Sequence, residues 1–532
     1  MGVTKHLQHH RIDNDCTCVT ISRMRGTFVF ELLMVGLLTL PWLNPFSVGP
    51  SPAIPALVFS WWCAAAVLVL AMVRLPKHRV RWGQIFAISW IFAATVSVLA
   101  GLLQYYGLSE ALSPWVNTAA KGVAYGNLRQ RNQFATLTSI GLGALLFWAS
   151  SRVVTRNGNW AVHGLVAMLA LGNAASASRT GLTQLVLLTA LAGMWSFEAV
   201  LGAANQRNLG TRLAVIWAAY ALGSWALPRL GGLDPEVTGI LGRIYSDAPI
   251  CSSRITLWAN VVHLIGQKPG MGWGWGNLDY AHFVTLYPAE RFCDLLDNAH
   301  NLPLHLAVEL GVPVAMGMCG LIAWLLVRAK PWHESDAARQ MAWSVLVLVG
   351  LHSLLEYPLW YGPFQLAVVA SLSMLWPAKE TAGLERGAKH YLTIRQRAAV
   401  ATFAVGTMSA CAYAAWDYWR VSQLYLPVAH RHAAYREDTL EKVRNSWLFQ
   451  DQVLFAELTT TPLTRATADS VHTTALQLLH FSPEPRVAER LIESAVMLGR
   501  DEEALFYLLR LKAAYPQEHA QWATASASNK AP

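Results

Sequence analysis

The sequence contains little charge for its length. Asp, Glu, Lys and Arg together make up 14% of its 532 residues, whereas soluble globular domains carry about 25%. Hydrophobic residues make up 54%. This composition excludes an ordinary soluble domain and predicts an all-α, polytopic membrane protein. The formal charge of +9 does not indicate a nucleic-acid partner, because basic residues accumulate in the cytoplasmic loops of membrane proteins.

Several catalytic and binding motifs are also missing. No glycine-rich loop ends in Lys and Ser or Thr, which excludes a P-loop nucleotide site. No group of His, Cys, Asp and Glu has metal-ligand spacing, so we predict neither a metal nor a cofactor. The Gly-Trp alternation at 272–276 lacks the strand that precedes a dinucleotide fingerprint. It indicates either backbone held close to a ligand or an interfacial belt of aromatic residues.

The sequence does contain a series of apolar segments that could cross a bilayer of roughly 30 Å. We predict 11 of them, or 12 if a re-entrant or split helix lies within the long polar segment 229–303. No cleavable signal precedes the first segment, which is therefore expected to remain as an anchor. The predicted spans are 27–43, 54–73, 84–104, 133–150, 161–175, 181–200, 213–228, 304–327, 341–356, 362–376 and 397–416.

The connections between these spans alternate in charge. Short connections such as 74–82 carry several basic residues, whereas the connections 44–53 and 357–361 of the opposite set carry none. This pattern places the N-terminus in the cytoplasm and the C-terminus outside. It divides the chain into a cytoplasmic arm at 1–26, a transmembrane region at 27–416 with the outer loop 229–303, and an outer helical domain at 417–532.

The outer domain has helical periodicity. Residues 487–499 and 502–516 predict two amphipathic helices, and the pair resembles one hairpin of the tetratricopeptide kind. Such paired helices often hold a partner segment in a groove. The alternative is that they only cap and stabilise the membrane bundle.

A polar stretch meets an apolar helix at the outer surface, at residues 297–311. Asn301 is a good N-cap and Pro303 suits a first helical turn. His300 therefore lies just outside the helix, and its side chain suits proton transfer near neutral pH. The alternative is a loop histidine that merely tolerates the interface.

Arginines cluster on the same predicted side of the membrane. Arg131, Asn132 and Gln133 cluster at the start of one span, Arg179 lies between two apolar helices, and the amphipathic segment 252–265 carries Arg254. A charge at this depth is costly and is usually functional or paired. For Arg179, the alternative is a side chain that extends to the interface.

Two further pairs of residues lie on this side. His352 and Glu356 are spaced i, i+4 and would share a helix face, where they would most simply orient the end of the helix. Cys251 and Cys293 both lie in the outer loop and could form a disulfide in an oxidising periplasm.

These residues fit a lipid-linked diphosphate. Guanidinium groups form charge-assisted, often bidentate hydrogen bonds with phosphate. Arg179, Arg254 and Arg131 would hold the diphosphate, and His300 would accept a proton from an acceptor hydroxyl. That oxygen would then attack the anomeric carbon and invert it in one displacement.

The combination of these segments resembles the O-antigen ligase and polymerase superfamily, and within it the bacterial O-oligosaccharyltransferases of the PglL type. The resemblance rests on GNLRQRNQFATL, SASRTG, SRITLW with PGMGWGWGN, AHNLPLHLAVELG and HSLLEYPLWYG, within about residues 104–362. It implies an all-α, GT-C-like enzyme of the bacterial inner membrane with a periplasmic site. It also implies an undecaprenyl-diphosphate-linked glycan, metal-independent transfer, a catalytic role for His300 and phosphate-binding roles for the arginines.

Three functions compete at this point. The first is transfer of the glycan to Ser or Thr hydroxyls of periplasmic proteins, which the domain at 417–532 favours. The second is an O-antigen ligase that uses lipid A–core as acceptor. The third is a transporter, which would need charged or broken helices near the bilayer midplane. Only His305 and Glu309 come close to that depth.

Overall fold

The structure is a computed structural model that describes residues 15–47, 49–73, 79–152, 154–198, 203–240, 242, 249–376 and 393–528. Across these ranges the chain forms helices and short 3₁₀ turns and no strand, which confirms the all-α prediction. Most of the predicted cytoplasmic arm lies outside the described residues, as do residues 74–78 and 377–392 of the predicted basic connections.

Within the described ranges, each predicted apolar span overlaps helix, although not every boundary agrees. Among the described residues, six helices are long and apolar enough to cross a membrane, and two shorter apolar helices accompany them. A polytopic membrane protein is therefore confirmed. The first seven helices are α1 (Asp15–Leu43), α2 (Ala53–Val73), α3 (Arg79–Tyr105), α4 (Arg131–Ser150), α5 (Arg156–Ala175), α6 (Arg179–Glu198) and α7 (Ala203–Leu230).

The long outer loop contains helices of its own. Ser253 caps the second of them, because its hydroxyl accepts a hydrogen bond from the backbone N–H of Thr256 at 3.2 Å. Leu257, Val261 and Leu264 on this helix are buried against the rest of the loop. A disulfide joins Cys251 to Cys293, with their Cα atoms 5.3 Å apart. The helices are α8 (Pro235–Thr238), α9 (Arg254–Gln267) and α10 (Leu278–Val284).

The predicted span 304–327 is not one helix, so that boundary is wrong. The chain forms α11 (Leu302–Leu310) and α12 (Val312–Ala329). Gly311 separates them with φ 88°, a conformation that L side chains avoid. A Cβ at Gly311 would lie 2.1 Å from the carbonyl oxygen of Gly270. This break lies outside the segment 229–303, in which we expected a re-entrant or split helix, at a point where the outer loop contacts the chain.

The Gly-Trp run lies against this split. Trp273 N–H donates to the carbonyl of Val308 at 2.8 Å, and Gly274 N–H donates to that of Glu309 at 2.9 Å. Gly272 has φ 70°. The run therefore lies close to the backbone at the end of α11.

Replacing Gly272 with alanine is expected to destabilise the protein by about 1–3 kcal/mol. A Cβ there would lie 2.4 Å from the backbone of Glu309, and the positive φ disfavours any L side chain. The apparent unfolding temperature of the purified protein measures the effect. Gly270→Ala is the matched control, because nothing lies within 4 Å of its Cβ position. Equal unfolding temperatures for the two variants would contradict the prediction.

The remaining membrane helices lead into the C-terminal domain. Five consecutive helices of this domain, from Gln450 to Ser528, each pack on the next. The predicted hairpin is therefore part of a longer helical array. In chain order, these elements are α13 (Ala337–Ser353), α14 (Gly362–Leu375), α15 (Ile394–Ser422), α16 (Thr439–Val443), α17 (Gln450–Thr460), α18 (Ala468–Leu478), α19 (Pro485–Met497), α20 (Asp501–Ala514) and α21 (Pro516–Ser528).

The array is packed against the outer loop. Phe283 of α10 is buried in the same apolar core as Leu491 and Leu511 of the array. Arg510 Nε donates to the carbonyl of Val284 at 2.7 Å. The His480 ring stacks on Tyr280 with 3.8 Å between ring centroids. The C-terminal domain therefore supports the loop that carries His300.

Candidate active site

The buried carboxylate of Glu356 is the centre of the site. It forms an ion pair with Arg254, at the start of α9. It is 2.6 Å from Nδ1 of His300. Its oxygens also accept hydrogen bonds from Gln130 at 3.3 Å and Asn132 at 3.2 Å, at the start of α4. Four segments that are far apart in sequence thus meet at one carboxylate.

The backbone around His300 is fixed on both sides. Its N–H donates to Oδ1 of Asn298 at 2.8 Å, and Trp258 donates to the carbonyl of Ala299 at 3.1 Å. Asn301 is the N-cap of α11, because its side chain accepts from the N–H of Leu304 at 3.1 Å. His300 itself has φ 49°. A non-glycine residue in this region is strained and is commonly part of a functional site.

The contact with Glu356 determines which nitrogen of His300 can act as a base. An ionised carboxylate only accepts hydrogen bonds, so Nδ1 must carry the proton. Nε2 is then the nitrogen with a free lone pair. The edge of the His300 ring packs against Tyr357, with 4.9 Å between ring centroids. With Nδ1 engaged by Glu356, Nε2 is the ring nitrogen left to exchange a proton.

Electrostatics keep the Glu356 carboxylate ionised. Its side chain is only 7% exposed, and this burial alone would raise its pKa. The hydrogen bond from His300 and the charge of Arg254 outweigh burial and lower the pKa of Glu356 below its ordinary value. The stability from these contacts is therefore present above the carboxyl's ordinary pKa and is lost as the pH falls through the lowered value.

The structure does not bring every predicted phosphate-binding arginine to this carboxylate. Arg179 begins α6 and is exposed, and none of the described residues forms a hydrogen bond or ion pair with its guanidinium. Its neighbour Ser178 donates to Oδ1 of Asn132 at 2.6 Å, so Arg179 lies beside the network. Arg131 begins α4 and lies within electrostatic reach of Tyr105.

The prediction that His352 and Glu356 share a helix face is wrong. Helix α13 ends at Ser353, so Glu356 lies beyond it and turns toward His300. Nδ1 of His352 is instead 2.9 Å from the hydroxyl of Thr136, inside the bundle. Gln133 is also buried, and with Tyr361 it lines an adjacent cavity of about 220 Å³.

Sequence reasoning missed two members of the site, Gln130 and Tyr357. Gln130 lies within the polar segment that drew attention to Arg131 and Asn132, and Tyr357 follows Glu356 directly. Arg129 of the same segment has a different role. Its guanidinium donates to the carbonyls of Ser47 and Pro45, both at 3.1 Å, so it holds the 44–47 connection in place.

The fold and the site together define a polytopic helical membrane protein with a carboxylate, an imidazole and a guanidinium assembled where its helices end. Three family models match the chain: "O-Antigen ligase" over residues 163–319, "Protein glycosylation ligase" over 124–149, and "Virulence factor membrane-bound polymerase, C-terminal" over 340–530. These matches confirm the resemblance to the O-antigen ligase and O-oligosaccharyltransferase superfamily that its motifs predict.

Curated relatives agree with this assignment. A general O-oligosaccharyltransferase of Acinetobacter baylyi is 25% identical over 304 residues, which are 54% of this chain and 50% of that protein. An O-antigen ligase of Pseudomonas aeruginosa is 29% identical over 330 residues, 59% of this chain and 67% of the ligase. A ComP-specific O-oligosaccharyltransferase of Acinetobacter baylyi is 23% identical over 286 residues. The chain spans about half the length of the two oligosaccharyltransferases.

Proposed function

We propose that this protein is a glycosyltransferase of the bacterial inner membrane. It transfers a preassembled glycan from undecaprenyl diphosphate to Ser or Thr hydroxyls of periplasmic proteins. The observation that carries the proposal is the shared carboxylate of Glu356, which orients His300 and holds Arg254 beside it. A base and a phosphate-binding cation are the two groups that such a transfer requires.

The proposed reaction is a single displacement. Nε2 of His300 takes the proton from the acceptor hydroxyl while its oxygen bonds to the anomeric carbon. The bond from that carbon to the diphosphate oxygen breaks, which inverts the anomeric centre. Arg254 and Arg179, with Arg131, stabilise the charge that develops on the departing diphosphate. Glu356 stabilises the imidazolium that forms.

The proposed acceptor is protein. Two of the similar proteins are O-oligosaccharyltransferases by name, and one matching family is described as a protein glycosylation ligase. The second candidate is lipid A–core, because the similar Pseudomonas protein is an O-antigen ligase and is 29% identical to this chain. The two candidates share the same lipid-linked glycan and differ only in acceptor.

Mass spectrometry of periplasmic proteins, from cells with and without this chain, tests the proposal. Glycopeptides that depend on the chain and are lost in the His300→Ala strain are the expected result. Unmodified periplasmic proteins together with chain-dependent glycan on lipid A–core would favour the ligase. If the deletion strain still made both products, both candidate functions would be contradicted.

Replacing Arg179 or Arg254 with lysine is expected to raise the KM for the lipid-linked glycan about tenfold or more. Lysine keeps the charge but cannot form the planar, two-donor contact of a guanidinium with phosphate. Initial rates on the purified enzyme with varied glycan lipid measure the effect. Arg152→Lys is the control, because Arg152 is exposed and bonds to Gln84 beyond the far end of α4. Unchanged KM values would make these two arginines structural.

The C-terminal array offers a surface for the protein acceptor. Arg486, Glu489, Arg490 and Glu493 of α19 line an open groove of about 560 Å³ beside Thr459 of α17. Helical arrays of this kind commonly bind extended or helical segments of partners in such grooves. Deleting residues 484–532 cannot test this role cleanly, because the array also supports α10.

Replacing both Arg486 and Arg490 with glutamate is expected to raise the KM for protein acceptor several-fold. The KM for the lipid-linked glycan should not change, since the groove is separate from Glu356. The measurement is in vitro glycosylation with each substrate varied in turn. Arg444→Glu is the matched control, because Arg444 is exposed in the same domain and lies outside the groove. An unaltered acceptor KM would dismiss the groove.

A further inference from the structure

A second cavity lies at the opposite end of the helix bundle. Helix α4 begins beside Glu356 at Arg131 and ends at Ser150, which lines this cavity. Its 20 residues correspond to about 30 Å at 1.5 Å per residue. The cavity is therefore separated from the candidate active site by roughly the thickness of the hydrocarbon core, on the predicted cytoplasmic side.

The cavity lies between membrane helices and is large enough for a ligand. Its volume is about 170 Å³, far more than the about 10–15 Å³ that one water molecule requires. One wall is apolar and is formed by α4, α6, α7 and α13. The apolar wall comprises Leu146, Phe147, Leu188, Leu209 and Met341.

Arg212 lies in this cavity and is only 4% exposed. A guanidinium has five N–H donors, and the structure gives the Arg212 group one partner, the side-chain oxygen of Asn159 at 3.2 Å from Nη2. Nε is buried and has no hydrogen-bond partner. Among the side chains that the structure describes, none of the acidic ones pairs with Arg212. The cavity therefore contains a buried positive charge with unused donors.

Such a charge requires a counter-ion. An unpaired charge inside a membrane protein is costly, and ionisable residues there are usually paired or line a binding path. Asn159 is neutral and satisfies only one donor. The remaining donors and the apolar wall together fit a ligand that is anionic at one end and apolar at the other.

We propose that this cavity binds the phosphate group of an anionic membrane phospholipid, with Arg212 as its ligand and the apolar wall against its acyl chains. Guanidinium groups match phosphate in charge and geometry. Anionic lipids are enriched in the cytoplasmic leaflet and bind in basic pockets between membrane helices. The site is distinct from the proposed transfer reaction and does not depend on it.

The test uses the full-length protein in detergent, stripped of lipid, with three separate additions. These are phosphatidylglycerol, zwitterionic phosphatidylcholine and inorganic phosphate. Native mass spectrometry counts bound lipid, and the apparent unfolding temperature reports binding of every ligand. We expect phosphatidylglycerol to bind at least tenfold more tightly than phosphatidylcholine, and Arg212→Gln to remove this preference. Arg152→Gln, which removes an exposed arginine near the same end of α4, should retain it.

A second variant keeps the test decisive if Arg212→Gln does not fold. Ala192→Leu leaves Arg212 intact and adds volume to a residue that lines the cavity, so it should weaken phosphatidylglycerol binding. Stabilisation by inorganic phosphate equal to that by phosphatidylglycerol would overturn the lipid assignment in favour of a free phosphate. Equal binding of both lipids, or an undiminished preference in Arg212→Gln or Ala192→Leu, would overturn the site.

Discussion

Replacing His300 with alanine is expected to reduce glycan transfer by about 10²–10⁴, the usual cost of removing a general base. Nδ1 of His300 is bound to Glu356 at 2.6 Å, which leaves Nε2 to take the proton of the acceptor. The loss should appear in kcat, because the residues proposed to bind the lipid-linked glycan are the arginines and not His300. The backbone contacts of His300 do not involve its side chain, so the variant should fold and insert.

His263→Ala is the matched control for this experiment. His263 lies on α9 of the same loop, and its side chain bonds to Gln267 at 3.1 Å rather than to Glu356. Single-turnover rates with both variants, at saturating lipid-linked glycan, separate chemistry from binding. Wild-type turnover by a folded His300→Ala protein would remove His300 from the mechanism.

The helices could be predicted from the sequence because apolar length is a local property. The break at Gly311 could not. Hydropathy continues across 304–327, and the positive φ is required by the carbonyl of Gly270, which is 41 residues earlier in the chain. Only the tertiary path of the outer loop determines that contact.

The role of Glu356 was missed although its signal is local. The spacing of His352 and Glu356 predicts a shared helix face only if the helix continues. Pro358 opposes this, because the residue before a proline is disfavoured in helical conformation, and Tyr357 indeed has φ −126° and ψ 56°. The helix ends at Ser353, and the carboxylate becomes available to His300.

The roles of the arginines differ in how well they could be predicted from the sequence. Arg254 begins an amphipathic helix, and its position there predicts a place at the site. Arg129 and Arg131 are two residues apart in one polar segment, so composition cannot distinguish them. Their roles depend on where the connections 44–47 and 105–130 lie, which is a long-range property of the fold.

Replacing Glu356 with glutamine is expected to lower kcat by about 10²–10³. This lies within the about 10²–10⁴ that general acid–base catalysis contributes. Glutamine can still accept a hydrogen bond from Nδ1 of His300, so the ring should keep its orientation. It cannot stabilise the imidazolium that forms when Nε2 takes the proton. In the proposed mechanism, Glu356 is therefore a positioning residue whose charge stabilises the imidazolium during proton transfer.

The kinetic pattern of Glu356→Gln distinguishes this role from a structural one. The carboxylate pairs with Arg254 and, in the proposed mechanism, competes with the diphosphate for this guanidinium, so its neutralisation should leave the KM for lipid-linked glycan unchanged or lower it. General disruption of the site would instead raise that KM and lower the unfolding temperature together.

Initial rates with varied glycan lipid, on Glu356→Gln and on the Arg254→Lys variant, measure kcat and KM. If Glu356→Gln lowers kcat with an unaltered KM and Arg254→Lys raises the KM, then Glu356 supports the base and Arg254 binds phosphate. A raised KM in both variants would mean that Glu356 acts only by holding Arg254 in place.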